Sequence, residues 1–165
     1  MNKPSVLQAD RIETLVQAYG NMLFRLCLIT LGNASNAEDV VQDTFVKYLK
    51  KAPAFENSEH EKAWLIKVAA NQCKDILRFH HRHPNVDIDD IAEIAEFADD
   101  TGDHEILDAL MTLPDKFRLV LVLYYVEEYR IEDIAKMIGK TTSAVKMRLK
   151  IGRLLLKKAY QREGL

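Results

Sequence analysis

The segment from Tyr129 to Lys158 constrains the fold most, because it has the layout of two helices joined by a tight turn. Gly139 stands where a helix would end in a left-handed backbone conformation. Thr141 is placed to cap a second helix, since its hydroxyl can accept from a free amide of the first turn. The apolar residues of the first helix recur at helical spacing: Ile131, Ile134, Ala135 and Ile138.

The second half of this segment separates an apolar face from a basic one. Val145, Leu149 and either Leu155 or Leu156 point to a core, whereas Lys146, Arg148, Lys150 and Arg153 point to solvent. From residue 140 to 165 there are eight Lys or Arg residues and one acid, Glu163. This pattern favours a DNA-binding helix-turn-helix whose second helix enters the major groove. An ordinary helical hairpin with a solvated basic face is the alternative.

Composition predicts an all-α protein of two small helical domains. The chain of 165 residues contains only 6 Gly and 4 Pro and is rich in helix formers. Its net charge of −2 conceals an asymmetry, because residues 85–105 hold nine acids and no Lys or Arg. We therefore predict an N-terminal domain over 1–84, an acidic flexible linker over 85–104 and a helix-turn-helix domain over 105–165.

The first two predicted helices cover Ile12 to Leu31 and the region that follows a capping-box pattern at Ser35–Glu38. The apolar stripe of the second helix consists of Val41, Phe45, Tyr48 and Leu49. Polar residues lie off this stripe: Asp39, Gln42 and Asp43. Acids near a helix N-terminus are favoured by the helix dipole, so a solvated face explains each of them singly.

A third helix is predicted from Trp64 to Phe79, after a polar loop from Phe55 to Lys62. Its apolar face comprises Leu65, Val68, Ala69, Cys73 and Ile76. A continuous polar edge runs beside that face through Lys67, Asn71, Lys74 and Arg78. Such an edge is often solvated surface, but its amide can pair with a base edge while the cations neutralise phosphates.

The remaining features predict a helical C-terminal domain and a reducing environment. Ile106–Met111 starts this domain, Pro114 suits the first turn of a new helix, and Leu119–Val126 is interpreted as helix because no partner strand exists.

Cys27 and Cys73 show no metal-like spacing, so buried free thiols are expected, with a disulfide as the less favoured interpretation. The apolar run at 119–126 is too short to cross a bilayer and no signal peptide is apparent, so we expect a cytoplasmic protein.

Four segments together resemble the extracytoplasmic-function (ECF) sigma factors of bacterial RNA polymerase. They are AEDVVQDTF, WLIKVAANQCKDILR, the Leu-Pro-x-x-x-Arg pattern at Leu113, and Val145–Leu149 (VKMRL) with the helix before it. The resemblance implies polymerase contacts at Asp39, Gln42, Asp43 and Phe45, although Phe45 also suits a core position. It implies that Lys67, Asn71, Lys74 and Arg78 bind the melted minus-ten strand, with a flipped base held by the loop from Phe55 to Lys62. Minus-thirty-five contacts are implied at Thr141, Thr142, Ser143, Ala144, Lys146, Arg148, Lys150 and Arg153.

The resemblance implies an alternative sigma factor that directs core RNA polymerase to specific promoters. Its partners would be the polymerase, promoter DNA as duplex and melted strand, and an anti-sigma factor, in a stress or envelope response without membrane insertion. No catalytic residue, metal or cofactor is expected, and the chain should not be an enzyme. Ile151 and Gly152 depart from the family, which often has Arg and Ala there, so late phosphate contacts in that helix are in doubt.

Two other functions fit parts of the sequence. A stand-alone helix-turn-helix regulator would use its N-terminal helices to dimerise and would bind a palindromic duplex without polymerase. A metal-dependent hydrolase could be built on His80, His81, His83 and Asp87, but these lack the helical spacing of two metal ligands and a second ligand cluster.

Overall fold

The computed structural model describes residues 6–82 and 104–163, and both stretches are helical. The N-terminal unit contains three helices and the C-terminal unit four, with a π-helical turn between the second and third of these. Within the described residues no strand is present, which confirms the all-α prediction. The elements are α1 (Val6–Leu31), α2 (Ala34–Lys51), α3 (Ser58–Arg82), α4 (His104–Met111), α5 (Asp115–Leu121), the π-helical turn (Val122–Val126), α6 (Ile131–Ile138) and α7 (Thr142–Glu163).

Helix α1 is the central helix of the N-terminal unit and packs against α2 and α3. Leu23, Leu26 and Cys27 are almost fully buried there. The stretch Ala9–Leu31 is also long and apolar enough to cross a membrane, although the sequence showed only a shorter apolar run. Because its apolar side chains fill the core between helices, packing accounts for this hydropathy.

The start of α2 differs from the prediction. Asn33, rather than the Ser35–Glu38 pattern, caps the helix, and its Oδ1 accepts from the backbone N–H of Asn36 at 2.7 Å. Asn and Ser are about equally good caps, so local sequence did not distinguish the two positions. The positive φ of 72° at Gly32 ends α1 directly before this cap.

Helix α3 begins six residues earlier than predicted, at Ser58. The connection from α2 is therefore confined to residues 52–57, and the second half of the predicted loop forms the first turns of α3. The side-chain oxygen of Asn57 accepts from the backbone N–H of His60 at 2.8 Å and so caps this helix.

The C-terminal unit is built around α5 and the π-helical turn. Residues 117–123 are all buried, which confirms the helical interpretation of this branched apolar run. Gly152 lies where α7 crosses α5, and a Cβ there would stand 3.2 Å from Leu121 Cδ1. The departure from the family pattern at Gly152 therefore serves a close helix approach.

The helix-turn-helix forms as predicted. Gly139 ends α6 with φ 66° and ψ 38°, the left-handed region that favours glycine. Thr141 Oγ1 accepts from the backbone N–H of Ala144 at 3.1 Å and caps α7. Ile134, Ile138 and Val145 are fully buried between the two helices.

The two units pack on each other and share one contiguous cluster of buried apolar residues. Helix α1 contacts α5, and α3 contacts α6. The sequence predicted two domains joined by a flexible acidic linker, but residues 83–103 lie outside those described. The direct packing between the units had no counterpart in the sequence analysis.

Both cysteines are buried and free, as predicted. Cys27 lies on α1 and Cys73 on α3, and their side chains interact within the N-terminal core. The hydrogen bond with Cys73, followed by burial, raises the pKa of the Cys27 thiol well above its ordinary value. Both thiols therefore behave as small apolar core groups.

Candidate nucleic-acid interface

The first turn of α7 presents short polar side chains to solvent. Thr141, Thr142 and Ser143 are exposed, and Ala144 is half-buried. The cap at Thr141 fixes the direction of the helix, while Val145 at 0% and Leu149 at 1% exposure hold its opposite face in the core. This is the arrangement that a recognition helix needs in order to place its N-terminal residues against base edges.

Basic side chains continue along the same helix. Lys146 and Lys150 are exposed and Arg148 is half-buried, so all three lie beside the exposed first turn. Arg153 is exposed and donates from Nη1 to Tyr125 Oη at 3.2 Å. A contact of this length at the surface leaves the guanidinium charge available to a phosphate.

The polar edge predicted on α3 is present. Lys67, Asn71 and Arg78 are exposed, whereas Lys74 is partly buried. Lys74 Nζ lies 3.9 Å from the position that a Cβ on Gly139 would occupy, so this edge touches the turn of the helix-turn-helix.

Lys74 is surrounded by other cations. Burial, followed by the nearby charges of Lys140, Arg148 and Arg78, lowers the pKa of its ammonium group. The predicted minus-ten and minus-thirty-five surfaces thus meet in one positively charged region. Polyanionic ligands are attracted to such a region.

Aromatic rings support the connection between α2 and α3. The Phe55 ring stacks on Tyr48 with centroids 6.0 Å apart and an interplanar angle of 14°. It also meets the edges of His60 at 5.4 Å and Trp64 at 5.9 Å. The rings of Phe55 and Trp64 are half-buried and that of His60 is exposed, which provides surface on which a base can stack.

Glu61 holds this aromatic group in place through its carboxylate. The sequence analysis did not identify this residue. Its side chain is 5% exposed, and its carboxylate accepts from Arg11 Nη2 at 2.9 Å and from Tyr48 Oη at 2.8 Å. Burial, followed by the hydrogen bond to Glu61, raises the pKa of Tyr48. The partners lie 50 and 13 residues away in sequence, so no local pattern identifies the contact.

The polar face of α2 is exposed as predicted at Asp39, Gln42 and Asp43. Phe45 is different, because it is 6% exposed and belongs to the core. The core interpretation of Phe45 is therefore the correct one, and its side chain is not presented to a polymerase surface in this conformation.

The side chains of the histidine cluster that was considered as a metal site lie outside the part of the chain that the structure describes. His83 and Asp87 lie outside the described residues, as do the side chains of His80 and His81. Among the residues that the structure describes, no group of three His, Cys, Asp or Glu residues is arranged to hold a metal ion.

Two family models match the chain at the two units. Sigma-70 region 2 matches residues 15–83, and Sigma-70 region 4 matches residues 103–156. The RNA polymerase sigma factor CarQ of Myxococcus xanthus is 33% identical over 122 residues, with 70% of each chain covered. The ECF RNA polymerase sigma factor SigW of Bacillus subtilis is 27% identical over 169 residues, covering 90% of this chain and 88% of the relative.

The chain belongs to the ECF sigma factors of bacterial RNA polymerase. It is an alternative sigma factor, and sigma factors are transcription initiation factors that act with core RNA polymerase at promoters. The matched segments give names to the two units: region 2 is α1–α3 and region 4 is α4–α7.

Solved structures of similar fold include two sigma factors in complexes. The sigma factor RpoE in complex with the anti-sigma factor NepR from Bartonella quintana has a TM-score of 0.68 at 20% identity, with 90% of this chain and 96% of that chain covered. CnrH in complex with the cytosolic domain of CnrY has a TM-score of 0.64 at 22% identity, with 92% and 88% covered. At these identities the likeness concerns the fold.

Proposed function

We propose that this ECF sigma factor reads promoters with two separate surfaces. In region 2, over residues 1–84, the polar edge of α3 binds the melted minus-ten strand through Lys67, Asn71, Lys74 and Arg78. In region 4, over residues 105–165, the first turns of α7 read the minus-thirty-five duplex. The exposed first turn of α7, held by the Gly139 turn and the Thr141 cap, is the observation that carries this proposal.

Within α7 the proposed roles follow from position and charge. Thr142, Ser143 and Ala144 lie at the N-terminal end of the helix and face base edges. Lys146 lies beside them. Arg148, Lys150 and Arg153 extend along the helix and neutralise phosphates, which position the protein without specifying sequence.

Within region 2 the single-stranded base would bind at the aromatic group Phe55, His60 and Trp64. Stacking on aromatic rings contributes roughly 1–3 kcal/mol per base. The rings border the α3 edge at Lys67, where a cation can contact the strand's phosphates. This combination of rings and cations is typical of single-strand recognition.

Docking to the polymerase is assigned to the exposed face of α2, through Asp39, Gln42 and Asp43. The acids lie in the N-terminal half of α2, where their charges can meet basic residues of a partner. Phe45 supports this face from the core, since its buried ring fixes the position of the helix.

Regulation by an anti-sigma factor is proposed by analogy. RpoE of Bartonella quintana is seen with the anti-sigma factor NepR, and CnrH with the cytosolic domain of CnrY. The fold that this chain shares with them supplies two units to which such a partner could bind. A cytoplasmic location and a stress or envelope response complete the proposal.

Transcription of genomic fragments by core polymerase, with and without the protein, tests the function. We expect new start sites that share two spaced upstream elements. Start sites that do not change when α7 carries Thr142→Ala and Ser143→Ala would contradict base reading by α7. Lys158→Ala, an exposed cation late in the same helix, is the matched control.

A further inference from the structure

The proposed minus-ten edge of α3 continues past Lys67 towards the start of the helix. Counting back from Asn71 in steps of four, three and four residues gives Lys67, Trp64 and His60. Because α3 begins at residue 58, these positions share one face of a single helix. The face is about 27 Å long from His60 to Arg78, at about 1.5 Å per residue. A strand bound along it therefore reaches His60, which is exposed at the end of the face.

The imidazole of His60 is held by its neighbours in the chain. Its Nδ1 accepts from the backbone N–H of Glu56 at 3.4 Å, and its backbone N–H donates to Asn57 Oδ1 at 2.8 Å. The Phe55 ring meets the imidazole at 90°, with ring centroids 5.4 Å apart. Since Nδ1 is the acceptor in this arrangement, the proton of the neutral ring lies on Nε2. His60 therefore offers a ligand one N–H donor in a fixed position.

The rings beside His60 are fixed as well, through a buried carboxylate. Glu61 accepts from Arg11 and from the hydroxyl of Tyr48, and the Phe55 ring stacks on Tyr48. Side chains that are already ordered lose little rotamer freedom when a ligand binds. A base stacked on this aromatic group would therefore meet the His60 donor in a defined geometry, which is the condition for telling one base from another.

We propose that His60 selects the unpaired base at the aromatic group through its Nε2–H. This inference rests on the proposed function, which supplies the melted strand. A base taken out of the stack is read at its Watson–Crick edge. At the centre of that edge cytosine has N3 and adenine has N1, and both accept a hydrogen bond. Thymine and guanine have an N–H there, so the His60 donor would face a second donor and both would stay unpaired.

His60 is thus a specificity-determining residue that favours cytosine and adenine at one position of the minus-ten strand. Cytosine is compared with guanine, and adenine with thymine, at that position. Each comparison keeps the same base pair in the duplex, so the cost of separating the pair does not differ between the two promoters. One hydrogen bond gained or lost should change the rate of promoter-complex formation several-fold.

Promoters that differ at this one position test the selection. The position is located first, by placing the fluorescent adenine analogue 2-aminopurine at each minus-ten position in turn and finding where its emission changes most with the full-length protein and core polymerase. Four promoters then carry each base there. We expect the parent to form complexes several-fold faster on cytosine than on guanine, and on adenine than on thymine. Gln17→Ala, exposed on α1, is the matched control and should keep both ratios.

Variants of His60 separate base reading from support of the fold. His60→Ala removes the donor, so both ratios should fall to within about twofold of one. His60→Glu places an acceptor there and should favour thymine and guanine, whose ring N–H it can accept. His60→Gln keeps an N–H donor at the ε position and should still favour cytosine and adenine. A residue that only supports the fold would instead change the rate equally on all four promoters.

Equal rates on the four promoters with the parent would overturn selection by His60, and so would unchanged ratios in His60→Ala. New start sites with the parent, but no position at which 2-aminopurine responds, would show that no base is held at the aromatic group and would overturn the inference too. Failure of the proposed function is distinguishable from these results, because the parent would then give no new start sites on any promoter.

Discussion

Gln72 Nε2 on α3 donates to Asp43 Oδ2 on α2 at 2.7 Å. The acceptor is a proposed polymerase contact, and the donor is adjacent to Asn71, a proposed minus-ten contact. The bond lies at the surface, so it contributes little to the free energy of unfolding. It joins the proposed polymerase surface to the residue next to the proposed minus-ten surface.

Asp43→Ala should weaken binding to core polymerase by about tenfold, a loss of roughly 1.4 kcal/mol, because it removes a charged contact. Gln72→Ala removes the same hydrogen bond but keeps the carboxylate, so its affinity should stay within about twofold of the parent. Titration of labelled polymerase measures the affinity of both variants. Equal losses in the two variants would show that Asp43 acts by holding α3 and not by contacting polymerase.

Asn71→Ala should impair promoter melting and leave polymerase affinity unchanged. The amide is exposed on the α3 edge, where it can pair with an unstacked base. Permanganate reactivity of the minus-ten thymines reports melting, and Gln17→Ala on the exposed face of α1 is the control. Lost polymerase affinity with normal melting of the bound fraction would place Asn71 on a different surface.

Arg148→Ala should lower affinity for minus-thirty-five duplex and reduce the slope of log affinity against log salt by about 0.9 for each phosphate that Arg148 neutralises. Lys158→Ala, with the same charge change at an exposed site near the end of α7, should leave the slope unchanged. Fluorescence anisotropy at several salt concentrations gives the slopes. A steady slope in Arg148→Ala would show that this side chain neutralises no phosphate.

Tyr129 should make the folded protein sensitive to alkali. Burial, followed by the charges of Glu59 and Glu127, raises the pKa of its phenol in the folded state. A raised folded pKa means that the folded state retains a proton which the unfolded state loses above about pH 10. Stability should therefore be complete below about pH 10 and decline above it.

Tyr129→Phe should reduce this decline while changing stability little at pH 7, because the hydroxyl has no hydrogen-bond partner among the described residues. Tyr48→Phe is the comparison, since its hydroxyl donates to Glu61 and its loss should cost about 1 kcal/mol at neutral pH. Urea unfolding at pH 7 and above pH 10 measures the stability of both variants. If the free energy of unfolding of Tyr129→Phe declines in alkali as much as that of the parent, groups other than Tyr129 cause the decline.

Local sequence determined the helical class, the Gly139 turn and the Thr141 cap, because each depends on residues within a few positions of one another, but it misplaced the cap of α2 and the start of α3. It also determined the order of the two regions and the family, since AEDVVQDTF, WLIKVAANQCKDILR and VKMRL are contiguous motifs. The exposure of Asn71 followed from helical periodicity in the same way.

Tertiary structure alone decided which residues join distant helices. Glu127 meets Arg25 across 102 positions, and Arg118 meets Thr30 across 88. It also placed Phe45 in the core and favoured glycine at residue 152, where α7 crosses Leu121 closely. A helical period fixes the face on which a residue lies, but the crossing of two helices fixes what that face touches.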